Sequence, residues 1–220
     1  MRLEYYSDRG GYNGTSRVKG YREKNEDTIG CFKVSGVELG EQPVYVLVVC
    51  DGMGGGVRGK YASSLTVQSI RTAVESIAEK KPSQTWLEAI ADVVSQGIYR
   101  AHSRLCDEFA NVKGTSATTC TVGIVQGSQF LTLQVGDSRL YVLNQRGLHL
   151  QTEDDSWAFN QLKEGNMTEV EIKKHPNRHK ITKAVGVSRG FRLQQSSLLE
   201  LKMGEGILLT SDGFSEFLTK

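Results

Sequence analysis

Four acidic positions share one local setting. Asn25-Glu26-Asp27 precedes the apolar Thr28–Phe32, and Asp51 follows the apolar run Val44–Val49. Asp137 sits within Val135-Gly136-Asp137-Ser138-Arg139, and Asp212 within Leu209-Thr210-Ser211-Asp212-Gly213. A single Asp beside Gly is explained by turn chemistry, since the Asx side chain caps the turn and Gly supplies positive φ. Four together predict something more, because buried strands converging in a sheet bring their terminal carboxylates to one end of it. Clustered carboxylates repel and raise each other's pKa unless a cation neutralises them. No Cys or His accompanies them, so the oxygen donors select hard ions: magnesium, manganese or calcium. Two such ions about 3.5–4 Å apart deprotonate a bridging water and aim it in line at phosphorus.

The elements that must position these groups are legible in outline. Val44–Val49 is a β-branched run between Pro43 and the glycines after Asp51, and reads as a fully buried strand. From about Tyr61 the period changes: Ile70, Val74 and Ile77 recur at helical spacing until Lys80-Lys81-Pro82. Leu87, Ile90, Val94, Ile98, Ala101 and Leu105 form the stripe of a second helix. Strands are predicted over Ser116–Val125, Gln129–Val135 and Arg139–Leu143, the first two joined by the short turn Gln126-Gly127-Ser128. Short helices are predicted near Trp157–Glu164 and Thr168–Lys174, then strands over Leu193–Leu201 and Gly206–Thr210. Strands, two consecutive helices, then more strands is not βαβ alternation. That order favours antiparallel sheets covered by helices, an α+β class.

Composition adds exclusions. The 220 residues carry 27 Lys+Arg against 25 Asp+Glu, so a net charge of +2 gives no reason to expect nucleic acid or a membrane as partner. No apolar run reaches the ~18 residues of a membrane span, and the N-terminus has no apolar signal segment. The four cysteines form no Cys-x-x-Cys pair, which makes a reducing cytoplasm the expected location. The 24 glycines are about 11% of the chain, above the norm of about 7%. They gather beside the acidic turns.

Six motifs stand in a recognisable order: Arg22-Glu23-Lys24-Asn25-Glu26-Asp27, Asp51-Gly52-Met53-Gly54-Gly55, Gly114-Thr115-Ser116-Ala117, Gly136-Asp137-Ser138-Arg139, Ile181-Thr182-Lys183-Ala184-Val185-Gly186 and Ser211-Asp212-Gly213. With them, from about Val18 to Lys220, the chain resembles the metal-dependent protein phosphatases (the PPM, or type 2C, serine/threonine phosphatases). The resemblance implies a four-layer α-β-β-α sandwich, with central antiparallel sheets flanked by helix pairs. It also implies two or three manganese or magnesium ions. The implied activity is hydrolysis of phosphoserine and phosphothreonine in proteins by a metal-bridging hydroxide, with no phosphoenzyme. Phosphorylated proteins, and a serine/threonine kinase, are the implied partners in signal transduction.

Carried over residue by residue, the resemblance makes Asp51 the carboxylate bridging both metals and Gly52 a carbonyl ligand to the second. Asp212 would hold the first metal, and Glu26 and Asp27 would accept hydrogen bonds from metal-bound waters. Asp137, with Asp212, matches a weaker third-metal site. Arg22 matches the arginine that clamps the substrate phosphate, a task suited to a bidentate guanidinium. Met53 stands where animal members carry a histidine proposed as general acid and bacterial-type members commonly have methionine; methionine cannot protonate a leaving group. Asp155 replaces a histidine usual in bacterial-type members. The family's closing Asp-Asn pair is absent. The chain therefore reads as a single catalytic domain over 1–220, incomplete at its C-terminus. The alternative is a pseudophosphatase, a binding or regulatory module that lost catalysis with the missing ligand.

Three features compete with this reading. Gly54-Gly55-Gly56-Val57-Arg58-Gly59 fits G-x-G-x-x-G, but a second helix rather than a strand follows Pro82, so the dinucleotide-binding unit fails. His175-Pro-Asn-Arg-His179 has i, i+4 spacing, but Pro176 breaks any helix that would align two zinc ligands. Residues 171–192 hold seven Lys/Arg and one acid. That reads as a solvated face or as a substrate-docking flap.

Overall fold

The computed structural model describes residues 2–6, 25–35, 42–79, 85–112, 114–187 and 191–214. Its first half runs β1 (Arg2–Tyr6), β2 (Thr28–Ser35), β3 (Val44–Cys50), β4 (Gly52–Met53), α1 (Val57–Glu75) and α2 (Trp86–Phe109), with a 3₁₀ turn at Ser76–Glu79. Then come β5 (Ala117–Thr118), β6 (Cys120–Gln126), β7 (Gln129–Val135), β8 (Arg139–Asn144) and β9 (Gly147–Leu150). An insert with α3 (Trp157–Lys163) and α4 (Glu169–Lys174) precedes β10 (Gln194–Gln195), β11 (Leu199–Glu200) and β12 (Gly206–Thr210).

The β-branched run of β3 makes it a central strand of a seven-stranded sheet ordered β1-β2-β3-β6-β7-β10, with β11 also on β7. A smaller sheet has the order β12-β8-β9, and β4 pairs with β5. All the pairings are antiparallel, as the element order requires. α1 and α2 pack on each other and cover one face of the large sheet, burying Ile70, Val74, Ile90, Val94 and Ile98 against Phe32, Val46, Val48 and Val122. Gly97 permits that approach: a Cβ there would lie 2.9 Å from both Ile70 Cα and Ser69 O. The helix α2 starts at a capping box in which Thr85 and Glu88 satisfy each other's backbone N–H.

The small sheet lies on the opposite face. Phe130, Leu140 and Val142 are buried there, with Ile207 and Leu209 packed against them. Helix pair, large sheet and small sheet make three of the four expected layers. G-x-G-x-x-G does lead from a strand into α1, but among the described residues the next elements are a 3₁₀ turn and α2 rather than a strand, so they form no βαβ unit there.

Register explains where the chemistry must lie. Thr28 pairs with Cys50, Val49 with Thr121, and Cys120 with Val135, so the start of β2, end of β3, start of β6 and end of β7 share one end of the large sheet. In the small sheet Arg139 pairs with Thr210, joining the start of β8 to the end of β12. The turn 136–138 carries the chain from one sheet to the other at that same end.

Candidate metal and phosphoester site

Asp51 interrupts a long ladder. Val49 faces Thr121 and Gly52 faces Thr118, so the register carries Asp51 to Thr119. The Thr119 N–H donates to Asp51 O at 2.9 Å, a normal ladder bond. In return the Asp51 N–H donates to Thr119 Oγ1 at 2.9 Å, a side-chain acceptor where a regular ladder offers a carbonyl. Thr118 Oγ1 also donates to Asp51 O at 2.9 Å. The strand predicted as one piece over Ser116–Val125 is therefore split at Thr119. The Asp51 backbone is held by three hydrogen bonds while its carboxylate is left for the site.

Below Thr119 lies a buried polar scaffold. Thr119 Oγ1 and Ser138 Oγ share a hydrogen bond at 2.7 Å, Thr121 Oγ1 donates to Ser138 O at 2.7 Å, and Gln134 Nε2 donates to the carbonyls of Gly136 and Ser138 at 3.1 and 3.2 Å. These bonds fix the 136–138 turn, in which Gly136 adopts φ +104°. Asp155 holds the turn from the other side: the Gly136 N–H donates to its Oδ2 at 3.2 Å, and Lys183 Nζ to its Oδ1 at 2.6 Å. Arg139 forms a bidentate pair with Asp154 at 2.9 and 2.6 Å, which holds its guanidinium pKa above the ordinary value.

Glu26 and Asp27 are positioned by α1. Glu26 Oε1 accepts the Gly56 N–H at 2.5 Å, and Ser63 Oγ donates to Glu26 O at 2.6 Å. Lys60 Nζ donates to Asp27 O at 2.6 Å, and the Asp27 N–H closes an Asx turn onto Asn25 Oδ1 at 2.8 Å. The glycines are required by closeness. A Cβ on Gly52 would lie 2.1 Å from Gly59 O, and one on Gly54, at φ +120°, would lie 1.8 Å from Thr115 O.

The structure brings Asp27, Asp51, Asp137 and Asp212 to one end of both sheets, with Gly52 and Glu26 beside them. Asp51 is 7% exposed. Burial pushes its pKa up to about 9, aided by the charges of Asp27 and Asp212. Asp137 is pushed up to about 7, first by burial, then by Asp212 and Asp154. Ser211 Oγ donates to Asp27 Oδ2 at 3.2 Å, tying the end of β12 to the start of β2. Among the described residues no group of three or more His, Cys, Asp or Glu side chains is arranged to hold one metal ion by itself. The charges of Asp27 and Asp212 both act on Asp51. A donor set of carboxylates plus a carbonyl, mutually repulsive when ionised, fits hard divalent cations that supply the missing positive charge. Arg22 lies outside the described residues.

Sequence reasoning missed Thr119, Ser138, Gln134 and Lys60. In a strand, Thr signals only β propensity, and nothing in the spacing reveals a hydroxyl bonded across strands. The His175/His179 spacing is not a metal pair: the His175 ring stacks on Trp157 with centroids 4.2 Å apart, and its Nδ1 accepts the Asn177 N–H at 3.1 Å.

Residues 23–220 match the family described as Protein phosphatase 2C. The chain is similar to the serine/threonine phosphatase Stp of Listeria welshimeri, 28% identical over 222 residues that span 99% of this chain and 79% of that protein. Its fold is similar to that of the serine/threonine phosphatase Stp1 of Staphylococcus aureus, with a TM-score of 0.74 and 28% identity over 99% of this chain and 78% of the other. It is also similar to the catalytic domain of the serine threonine protein phosphatase PstP in complex with 2 manganese ions, with a TM-score of 0.63 and 26% identity over 98% of this chain and 79% of that one.

Proposed function

The chain belongs to the protein phosphatase 2C family, and from that premise we propose that it removes phosphate from phosphoserine and phosphothreonine in proteins at the end of the two sheets that carries Asp51. The observation that carries this reading is the buried Asp51 carboxylate at the strand end where Asp27, tied to the end of β12 by Ser211, and the 136–138 turn, tied to Thr119 by Ser138, also meet. Such a set is stable in its ionised form only with divalent cations, for which we propose manganese or magnesium. When bound, the cations supply the Lewis acidity and the ionised water that phosphoester hydrolysis needs.

The chain's own residues do the rest. Asp51 and the Gly52 carbonyl would hold two ions, Asp212 would hold the first, and Asp137 with Asp212 would hold a weaker third. Glu26 and Asp27 would accept hydrogen bonds from water on those ions and so orient it. Arg22 grips the phosphate oxygens. Met53 carries no transferable proton, so water protonates the leaving alkoxide. Nothing among the described residues favours the non-catalytic alternative.

The four free cysteines accord with a reducing cytoplasmic location, and no helix among the described residues is long and apolar enough to cross a membrane. A serine/threonine kinase supplies the substrates. The test is hydrolysis of p-nitrophenyl phosphate and a phosphothreonine peptide with manganese, with Asp51→Asn as control. Manganese-dependent turnover lost in Asp51→Asn is the expected result. No turnover above that control overturns the reading.

A further inference from the structure

Residues of the insert and of β10 line a cavity of about 390 Å³. Its floor carries Glu153, Asp154 and Asp155, and each of these carboxylates is already answered: by Lys163 at 2.7 Å, Arg139 at 2.6 Å and Lys183 at 2.6 Å. Three side-chain donors on its walls remain without a hydrogen-bond or ion-pair partner among the described residues. They are the Arg192 guanidinium and the amides of Asn160 and Gln195. With the acids neutralised, one guanidinium and two amides make a site for an anion rather than for a cation.

The side chain of Arg192 is exposed, and the backbone that carries it is anchored by its neighbours. Its neighbour Phe191 stacks on His102 with ring centroids 4.1 Å apart and meets Tyr99 edge-on at 5.0 Å. His102 Nδ1 accepts the Gly186 N–H at 3.2 Å, fixing the start of the same segment. On the other side Gln194 pairs with Gln134 of β7, and its Nε2 donates to Glu153 O at 3.2 Å. The cavity also adjoins the carboxylate cluster. Two of its lining residues hold the turn that carries Asp137: Asp155 Oδ2 accepts the Gly136 N–H at 3.2 Å, and Asp154 pairs with Arg139 at 2.6 Å.

We propose that this cavity is a substrate subsite for a second anionic group, a carboxylate or a phosphate, on the same segment as the hydrolysed phosphoester, held by Arg192 with Asn160 and Gln195. The proposal rests on the phosphatase reading above. It makes acidic or multiply phosphorylated segments the preferred substrate class.

The test uses the whole chain with manganese and measures kcat and KM on three families of phosphothreonine peptides. One has neutral flanks, one has a Glu scanned through the three positions on either side, and one has a phosphoserine at the same positions. p-Nitrophenyl phosphate, which has no flank, is the reference. At the best position a carboxylate lowers KM about 3–5-fold and a phosphate about tenfold, which separates the two sources. Arg192→Ala abolishes that preference through KM and leaves p-nitrophenyl phosphate turnover unchanged; Arg192→Lys restores part of it, and Arg192→Glu reverses it. Equal kcat/KM for neutral and acidic peptides, or a preference that survives Arg192→Ala, overturns the subsite alone. No turnover of any substrate by the wild type overturns the phosphatase reading and the subsite with it.

Discussion

Replacing Asp155 by Ala removes the group that ties the metal-side turn to the insert. Asp155 is 4% exposed, accepts the Gly136 N–H on Oδ2 at 3.2 Å and accepts Lys183 Nζ on Oδ1 at 2.6 Å. Its own N–H donates to Gly136 O at 2.7 Å, and that bond survives in alanine. A hydrogen bond to a charged acceptor contributes about 1.5–3 kcal/mol, and a buried N–H left without a partner costs about 1–3 kcal/mol. These figures describe the same Gly136 bond and are not added. The Lys183 side chain is 39% exposed, so solvent screening limits its pair with Asp155 to about 0.2–1 kcal/mol. Together the loss for Asp155→Ala is about 3 kcal/mol, a fall in Tm of about 6–12 °C for a domain of this size. Asp155→Asn keeps an acceptor for Gly136 and loses only charge, so it costs about 1 kcal/mol, as does Lys183→Met. Thermal and urea unfolding at one fixed manganese concentration measure all three. The reasoning is refuted if Asp155→Ala costs less than about 0.5 kcal/mol, or if Ala and Asn cost the same.

Manganese affinity rises with pH. Asp51, at about 9, is protonated in the ion-free protein at neutral pH, and a cation must displace that proton. Affinity therefore climbs by up to about tenfold per pH unit from pH 7 toward 9. Adding manganese at pH 7.5 acidifies a weakly buffered solution; calorimetry in buffers of different ionisation enthalpy counts the protons, and a count of zero rejects the shifted carboxylate. The ion-free protein loses stability over the same range, because a carboxyl whose folded pKa is raised favours folding in its protonated form. Gly54→Ala places a Cβ 1.8 Å from Thr115 O at φ +120°. Urea unfolding should show a loss of more than about 2 kcal/mol, together with loss of activity, and a variant unfolding like the wild type removes the case for that close approach.

The carboxylates were legible because both signals were local: an apolar run to end the strand and a glycine to turn it. Asp51 after Val44–Val49 and Asp212 after Gly206–Thr210 lie where those runs placed them. The two long helices were legible for a similar reason, since a stripe such as Leu87 to Leu105 repeats over several turns. β1 and β9 were missed, being short strands without strong apolar alternation. The break at Thr119 was missed because it depends on a hydroxyl displacing a carbonyl across the ladder, a contact with no period in the chain. The Asp155–Gly136 tie was missed for a related reason. Asp155 was visible only as a substitution for histidine, whereas its role depends on Lys183 and on a turn nineteen residues away.

The distribution of acids between the sheets gives the cations a second consequence. Asp51 ends a strand of the large sheet, and Asp212 follows the last strand of the small one. The fully apolar contact between the sheets is modest, centred on Phe130, Leu140 and Val142, whereas the helix face of the large sheet buries a far larger cluster. Hydroxyl bonds such as Ser211 to Asp27 add a further tie at the site end. A cation held jointly by Asp51 and Asp212, as proposed, would convert a repulsion between the sheets into an attraction, at the edge of the sandwich where apolar packing gives out. The small sheet should therefore be the first part of the fold to loosen when the ion is withdrawn, and hydrogen exchange of β8 and β12 should accelerate on chelation more than that of β3 and β6. Uniform acceleration across both sheets would show that the ion does not couple them.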